Sequence, residues 1–157
     1  MDPSDILAVI GIAASPVVEL RGAIPIAIAT LHFEWYQALP LAILGNLLPV
    51  PFILLFIDWI TRQLSRIAFF ERIISWVFAM TRRRGRMIQR YERIGLILFV
   101  AIPLPITGAW TASLAAVLFG LRFRYALVSI ILGVIIAGGI VTALTMLGWS
   151  VLAGDPG

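Results

Sequence analysis

This chain of 157 residues has no cysteine and a single histidine, His32. Disulfides and thiolate metal sites are thereby excluded, and one imidazole is too few for a histidine-built metal centre. Neither a metal nor another cofactor is expected. Lysine is missing too: all twelve basic residues are arginine, and eleven of them fall between Arg62 and Arg124. Charge of any kind is scarce, at 13% of residues, where a soluble domain carries about 25%. Against this, 61% of residues are hydrophobic and the mean hydropathy is +1.04. The composition is that of an integral membrane protein. The pI near 10.7 then reports where arginine clusters, not a nucleic-acid surface, and no nucleic-acid partner is expected. A cleaved leader is not expected either, because "MDPSDILAVIGIAAS" is acidic where a signal peptide is basic.

What is present is long apolar sequence broken by proline. Trp35 to Ile57 carries no charge over 23 residues and, at about 1.5 Å per residue, covers the ~30 Å hydrocarbon core. It contains Pro40, Pro49 and Pro51, so a kinked or locally opened helix is predicted. Tyr125 to Leu152 is equally uncharged and gives a second crossing. Ile6 to Val18 and Gly22 to Phe33, joined by "ELR", are each too short to cross. Ile94 to Leu121 is long enough, but "AIPLPITGAW" interrupts it, and prolines there oppose a continuous helix. The hairpin breakers are taken to be Pro16, Pro25, Pro103, Pro105 and Gly108.

Charge bias decides whether that last run crosses or turns back. If it crossed, "LRFR" at 121–124 would emerge opposite the arginine-rich centre of the chain, against the positive-inside rule. If it dips in and returns, Arg62 to Arg93 and Arg122 to Arg124 all face the cytoplasm. The expected fold is therefore an all-α integral membrane protein of two inverted repeats, each a re-entrant helical hairpin followed by a transmembrane helix. We read one membrane domain over 1–157. Its first repeat is 1–58 (hairpin 5–33, helix 35–57), its amphipathic Arg-rich connector on the cytoplasmic side is 59–93, and its second repeat is 94–152 (hairpin 94–121, helix 125–150). A displacement of 88 residues sets "ALPLAILG" (38–45) against "ALVSIILG" (126–133), identical at five of eight places. It also sets Glu19 opposite Thr107 and Glu34 opposite Arg122. Inverted repeats with broken helices are the plan of many secondary transporters.

The candidate site follows from cost. A charge at membrane depth is expensive and normally faces a partner or a polar cavity, so Glu19 and Arg21 in "SPVVELRGAIP" need each other or water. Two readings stay open. In one, Glu19 caps exposed amides or pairs with Arg21, Arg93 or a partner subunit to stabilise the hairpin tip. In the other, Glu19 is a protonatable coupling group, and Arg21 clamps an anion with its planar donor fork. Thr107, Thr111 and Ser113 either coordinate substrate or satisfy carbonyls freed by the prolines. Asn46 is either a helix–helix contact or a ligand. His32 is read as interfacial. "TRRRGR" is read as an anionic-headgroup anchor through Arg82, Arg83, Arg84 and Arg86.

The pair of words "SPVVELRGAIPIA" and "AIPLPITGAWTASLAAVLFG", each followed by a crossing, resembles the small multi-drug export protein family over nearly the whole chain. Glu19 to Pro25 is the most specific element. More distantly the chain is similar to the DedA superfamily, whose re-entrant hairpins are implicated in flipping lipid carriers such as undecaprenyl phosphate. That superfamily places an arginine after the proline of its second hairpin, where Thr107 to Thr111 here offers hydroxyls. The resemblance implies a secondary transporter or exporter of the cytoplasmic membrane. From the residues themselves, the substrate is expected to be a small amphipathic or phosphate-bearing molecule. Coupling to protons follows if burial lets Glu19 exchange a proton at working pH. A homodimer is expected because two crossings and two hairpins make a thin barrel. The alternatives are a non-transporting, lipid-organising membrane protein and, less favoured, an intramembrane enzyme. An enzyme is not expected, because Glu19 has no second carboxylate or histidine near it in sequence.

Overall fold

The computed structural model describes residues 2–64, 85–102, 108–118 and 120–153; for 57, 58, 60–64, 85–92, 118 and 149–153 it describes the backbone alone. The described residues form helices α1 (Pro3–Ala14), α2 (Glu19–Ala29), α3 (Trp35–Leu47), α4 (Pro49–Leu64), α5 (Gly85–Ala101), α6 (Ala109–Leu118) and α7 (Phe123–Ala153). They contain no strand. Two compact units share the chain: one holds residues 1–48 and 134–157, the other 49–133. Both long helical runs, α3–α4 and α7, are divided between the units.

In the first unit, α1, α2 and α3 pack on one another. α1 opens with Pro3 at its first turn, where the missing N–H costs nothing and the fixed φ suits a helix. Val9, Ala27, Phe33 and Ala38 form a buried cluster covered by Ile6, Ile28, Leu31 and Leu41. Small residues set the helix spacing. A Cβ on Gly45 would stand 2.5 Å from the Ile10 carbonyl oxygen and 2.8 Å from the Ala13 Cβ, so α3 touches the α1 backbone directly. The part of α7 in this unit approaches in the same way, with Gly138 against Leu39 and Ile43.

In the second unit, α6 packs on both α4 and α5. Ala109, Ala112 and Ala116 of α6 are buried. The first part of α7 lies against α5 through Gly133, whose Cβ would stand 2.5 Å from the Val100 Cβ and 3.0 Å from the Ile97 carbonyl oxygen.

Inside the two units the same devices recur at the 88-residue displacement. His32 (φ 54) and Gly120 (φ 68) both hold left-handed backbone after the second helix of a hairpin. The Glu34 carbonyl accepts from the N–H groups of Gln37 and Ala38 to start α3, and the Arg122 carbonyl accepts from those of Tyr125 and Ala126 to start α7. Gly45 and Gly133, also 88 residues apart, are both close-contact glycines. Around Gly120 the Leu121 N–H reaches the Ala116 carbonyl and the Gly120 N–H the Val117 carbonyl, the paired bonds of a Schellman cap. Around His32 the Phe33 N–H reaches the Ala27 carbonyl instead.

Trp35–Phe56 and Phe123–Gly148 are long and apolar enough to cross a membrane. A soluble core helix can match that pattern, but it is buried, whereas only 28% and 44% of these two windows are. Leu44, Phe52, Phe56, Val128 and Leu144 are all more than half exposed. Such surfaces are at home against lipid, and in water they would drive association. The chain is a helical membrane protein.

The element bounds differ from the sequence reading in three places. The first long run is interrupted at Leu48 and continues to Leu64, past the expected end at 57. Pro49 and Pro51 fall in the first turn of α4, where helical N–H groups lack intrahelical partners in any case, while Pro40 stays inside α3. α5 runs unbroken through the expected boundary at 93/94. The switch from arginine to apolar residues marks a change of surroundings, and Arg, Gln and Glu propagate a helix as readily as Leu does. Pro25, taken as a hairpin breaker, lies inside α2. The turn is made instead by Ser15 to Val18, with Pro16 in it.

Candidate functional site: the Glu19–Arg21 hairpin tip

The turn between α1 and α2 is tied by the Glu19 N–H to the Ser15 carbonyl at 3.2 Å and the Gly22 N–H to the Val18 carbonyl at 3.2 Å. A Cβ on Gly22 would collide with the Val18 side chain, so the glycine of "ELRG" is needed for the turn to close onto α2. Leu20 fills the core at 2% exposure. Glu19 starts α2 with φ 52, a left-handed conformation that costs a non-glycine residue about 1–2 kcal/mol. Strain of this kind gathers at functional sites, held by the packing around it.

The Glu19 side chain is 6% exposed, and its charge acts on the half-buried guanidinium of Arg21. The amino end of α2 adds a favourable dipole for the carboxylate. Pro25 lies inside α2, one turn after Arg21, and offers no backbone N–H of its own. The tip thus gathers a strained carboxylate and a guanidinium in an otherwise apolar hairpin. This arrangement can hold a proton or grip an anion.

Asn46 also belongs to the first unit. It is 1% exposed, and its Oδ1 meets no donor. Thr111 lies in the second unit and serves its own helix: its hydroxyl accepts from the Gly108 N–H at 3.0 Å and donates to the Gly108 carbonyl at 3.2 Å. Gly108 forms the buried bend before α6. Ser113 is equally committed, donating to the Ala109 carbonyl at 2.6 Å. Both hydroxyls thus bond carbonyls at the start of their own helix, Gly108 and Ala109, which are not the carbonyls that Pro103 and Pro105 would free. His32 is exposed on its left-handed turn. Pro103, Pro105, Thr107, Arg82, Arg83 and Arg84, with residues 65–84 of the connector, lie outside the described residues; of Arg86 only the helical backbone is described.

Three features escaped the sequence reading. The left-handed φ of Glu19 has no signature in residue type. Thr142 is 5% exposed with its Oγ1 unpartnered, in an apolar run where one hydroxyl draws no notice; Thr145, one turn on, donates to the Val141 carbonyl at 2.8 Å. The stacking of Arg93 on Tyr125 joins residues far apart in the chain.

A family model described as "Putative small multi-drug export protein" matches residues 19–140. The match begins at Glu19 and covers both long apolar runs up to the middle of α7. No curated protein and no solved structure matches the chain.

Proposed function

The chain belongs to the small multi-drug export protein family, and from that membership together with the buried carboxylate of Glu19 we propose that it is a proton-coupled secondary transporter of the cytoplasmic membrane. The observation that carries the coupling role is Glu19 itself: a strained acid, 6% exposed, facing Arg21 in an apolar hairpin. Protonation of such a group releases its hold on the guanidinium, and Arg21 is then available to an anionic substrate. The substrate class is a small amphipathic or phosphate-bearing molecule, lipid-carrier phosphates included. No enzymatic step is assigned.

The recurring turns, caps and glycines at 88 residues support two inverted repeats. α1 with α2, and α5 with α6, are the re-entrant hairpins, since a 12-residue helix such as α1 reaches only ~18 Å of a ~30 Å core. The arginine-rich centre of the chain faces the cytoplasm, where Arg82, Arg83, Arg84 and Arg86 meet anionic headgroups. A homodimer encloses the substrate path.

The test is transport in proteoliposomes under an imposed pH gradient, with candidate substrates screened against wild type and Glu19→Gln. The variant keeps the side chain's size and loses its titration. We expect it to insert normally and to lose gradient-driven uptake. Undiminished uptake by Glu19→Gln removes Glu19 from the coupling role.

A further inference from the structure

The charged stretch of α5 ends at Arg93, and apolar sequence follows from Ile94 to Ala101. On α7 the same change falls between Arg124 and Tyr125. The two changes meet in space, because the Arg93 guanidinium carbon lies 3.5 Å from the Tyr125 ring centroid. From that level both helices run the same way into the apolar layer, reaching the contact of Gly133 with Ile97 and Val100. Arg93 therefore stands where charged sequence gives way to lipid-compatible sequence on two neighbouring helices, the depth of a headgroup phosphate.

The stack leaves chemistry unused. Packing a guanidinium on a ring engages its face, and its N–H groups point outward in the plane. Arg93 Nε is buried and has no acceptor, so one of these donors has been withdrawn from water without a replacement, a state that favours an incoming acceptor. Arg122 and Arg124 flank Tyr125 and are exposed, which adds positive charge at the start of α7. The side-on edge of an arginine, Nε with one Nη, suits two oxygens of one oxyanion.

We propose that Arg93, held flat on Tyr125 and flanked by Arg122 and Arg124, forms a binding site for a phosphate group at headgroup depth. Arg93 supplies the two-point grip, Tyr125 fixes its plane, and the two exposed arginines raise the local anion concentration. The site belongs to the second unit and shares no residue with the Glu19 tip, and it stands whether or not Glu19 couples transport.

The test uses full-length protein in neutral maltoside micelles, its melting temperature followed as short-chain phosphatidylglycerol, diacylglycerol of the same chains, or inorganic phosphate is added. Phosphatidylglycerol should raise the melting temperature saturably and diacylglycerol should not. Arg93→Lys, which keeps charge but loses the planar fork, should raise the half-saturating concentration about tenfold, while Arg62→Gln, a charge control, leaves it unchanged. Tyr125→Leu, which removes the ring, should weaken the response more than Tyr125→Phe, which keeps it. This second pair keeps the test readable if Arg93 variants do not fold. A shift with inorganic phosphate that competes with the lipid assigns the site to free phosphate, and a shift with the lipid alone assigns it to the headgroup. Equal saturable responses from wild type, Arg93→Lys and Tyr125→Leu, or no response in wild type, overturn the site.

Discussion

The first hairpin, α1 with α2, and the second, α5 with α6, close with related backbones around unlike side chains. Each is followed by a left-handed residue, a backbone-capped start to the next helix and a close-contact glycine on that helix. Yet the helix that opens with Glu19 and Arg21 in the first hairpin opens in the second beside Gly108 and Thr111, whose polar groups satisfy each other. The long runs differ as well. α7 is continuous, while α3 and α4 part at Leu48 because Pro49 and Pro51 have no counterparts at Ala137 and Gly139. Several helix-end devices recur in the two halves, while the buried carboxylate belongs to the first.

The comparison can be broken most decisively by topology. Single cysteines at Glu34→Cys and Arg122→Cys occupy equivalent helix starts, and an inverted repeat puts them on opposite sides of the membrane. Impermeant thiol reagents should label the first only from outside and the second only from the cytoplasm. Labelling of both from one side would end the inverted-repeat reading.

A smaller effect sharpens the glycine equivalence. Gly45→Ala forces a Cβ to 2.5 Å from a backbone oxygen, and such overpacking costs about 1–3 kcal/mol. Gly133→Ala presses on the Val100 side chain and should cost a comparable amount. Gly139 has nothing within 4 Å, and Gly139→Ala should be neutral or stabilising by up to about 1 kcal/mol. Melting temperatures in detergent read all three, and a harmless Gly133→Ala beside a damaging Gly45→Ala would show that the two contacts are not alike.

The smallest effect compares the left-handed turns. Gly120→Ala should destabilise by about 1–2 kcal/mol at φ 68. His32→Gly relieves similar strain but frees the unfolded chain, so the net change should stay within about 1 kcal/mol. Equal and large losses in both variants would mean that His32 makes contacts its exposure does not suggest.

The sequence by itself determined that this is a helical membrane protein, where its two long apolar runs lie and that its charges concentrate in the middle. These follow from composition and local pattern, because the cost of charge in lipid and the length needed to cross are properties of each segment alone. It also singled out Glu19 and Arg21, because a charged pair between two short apolar arms is conspicuous without neighbours. Only tertiary structure decided that Pro25 continues a helix while Ser15 to Val18 turns, since a proline's effect depends on which carbonyl it would have served. The same holds for Asn46, left with an unused oxygen, for Thr111, absorbed by its own backbone, and for Arg93, brought onto Tyr125 from 32 residues away. Partnership is a matter of which surfaces meet, and hydrophobic packing, which specifies burial without direction, fixes those meetings only when the helices are assembled.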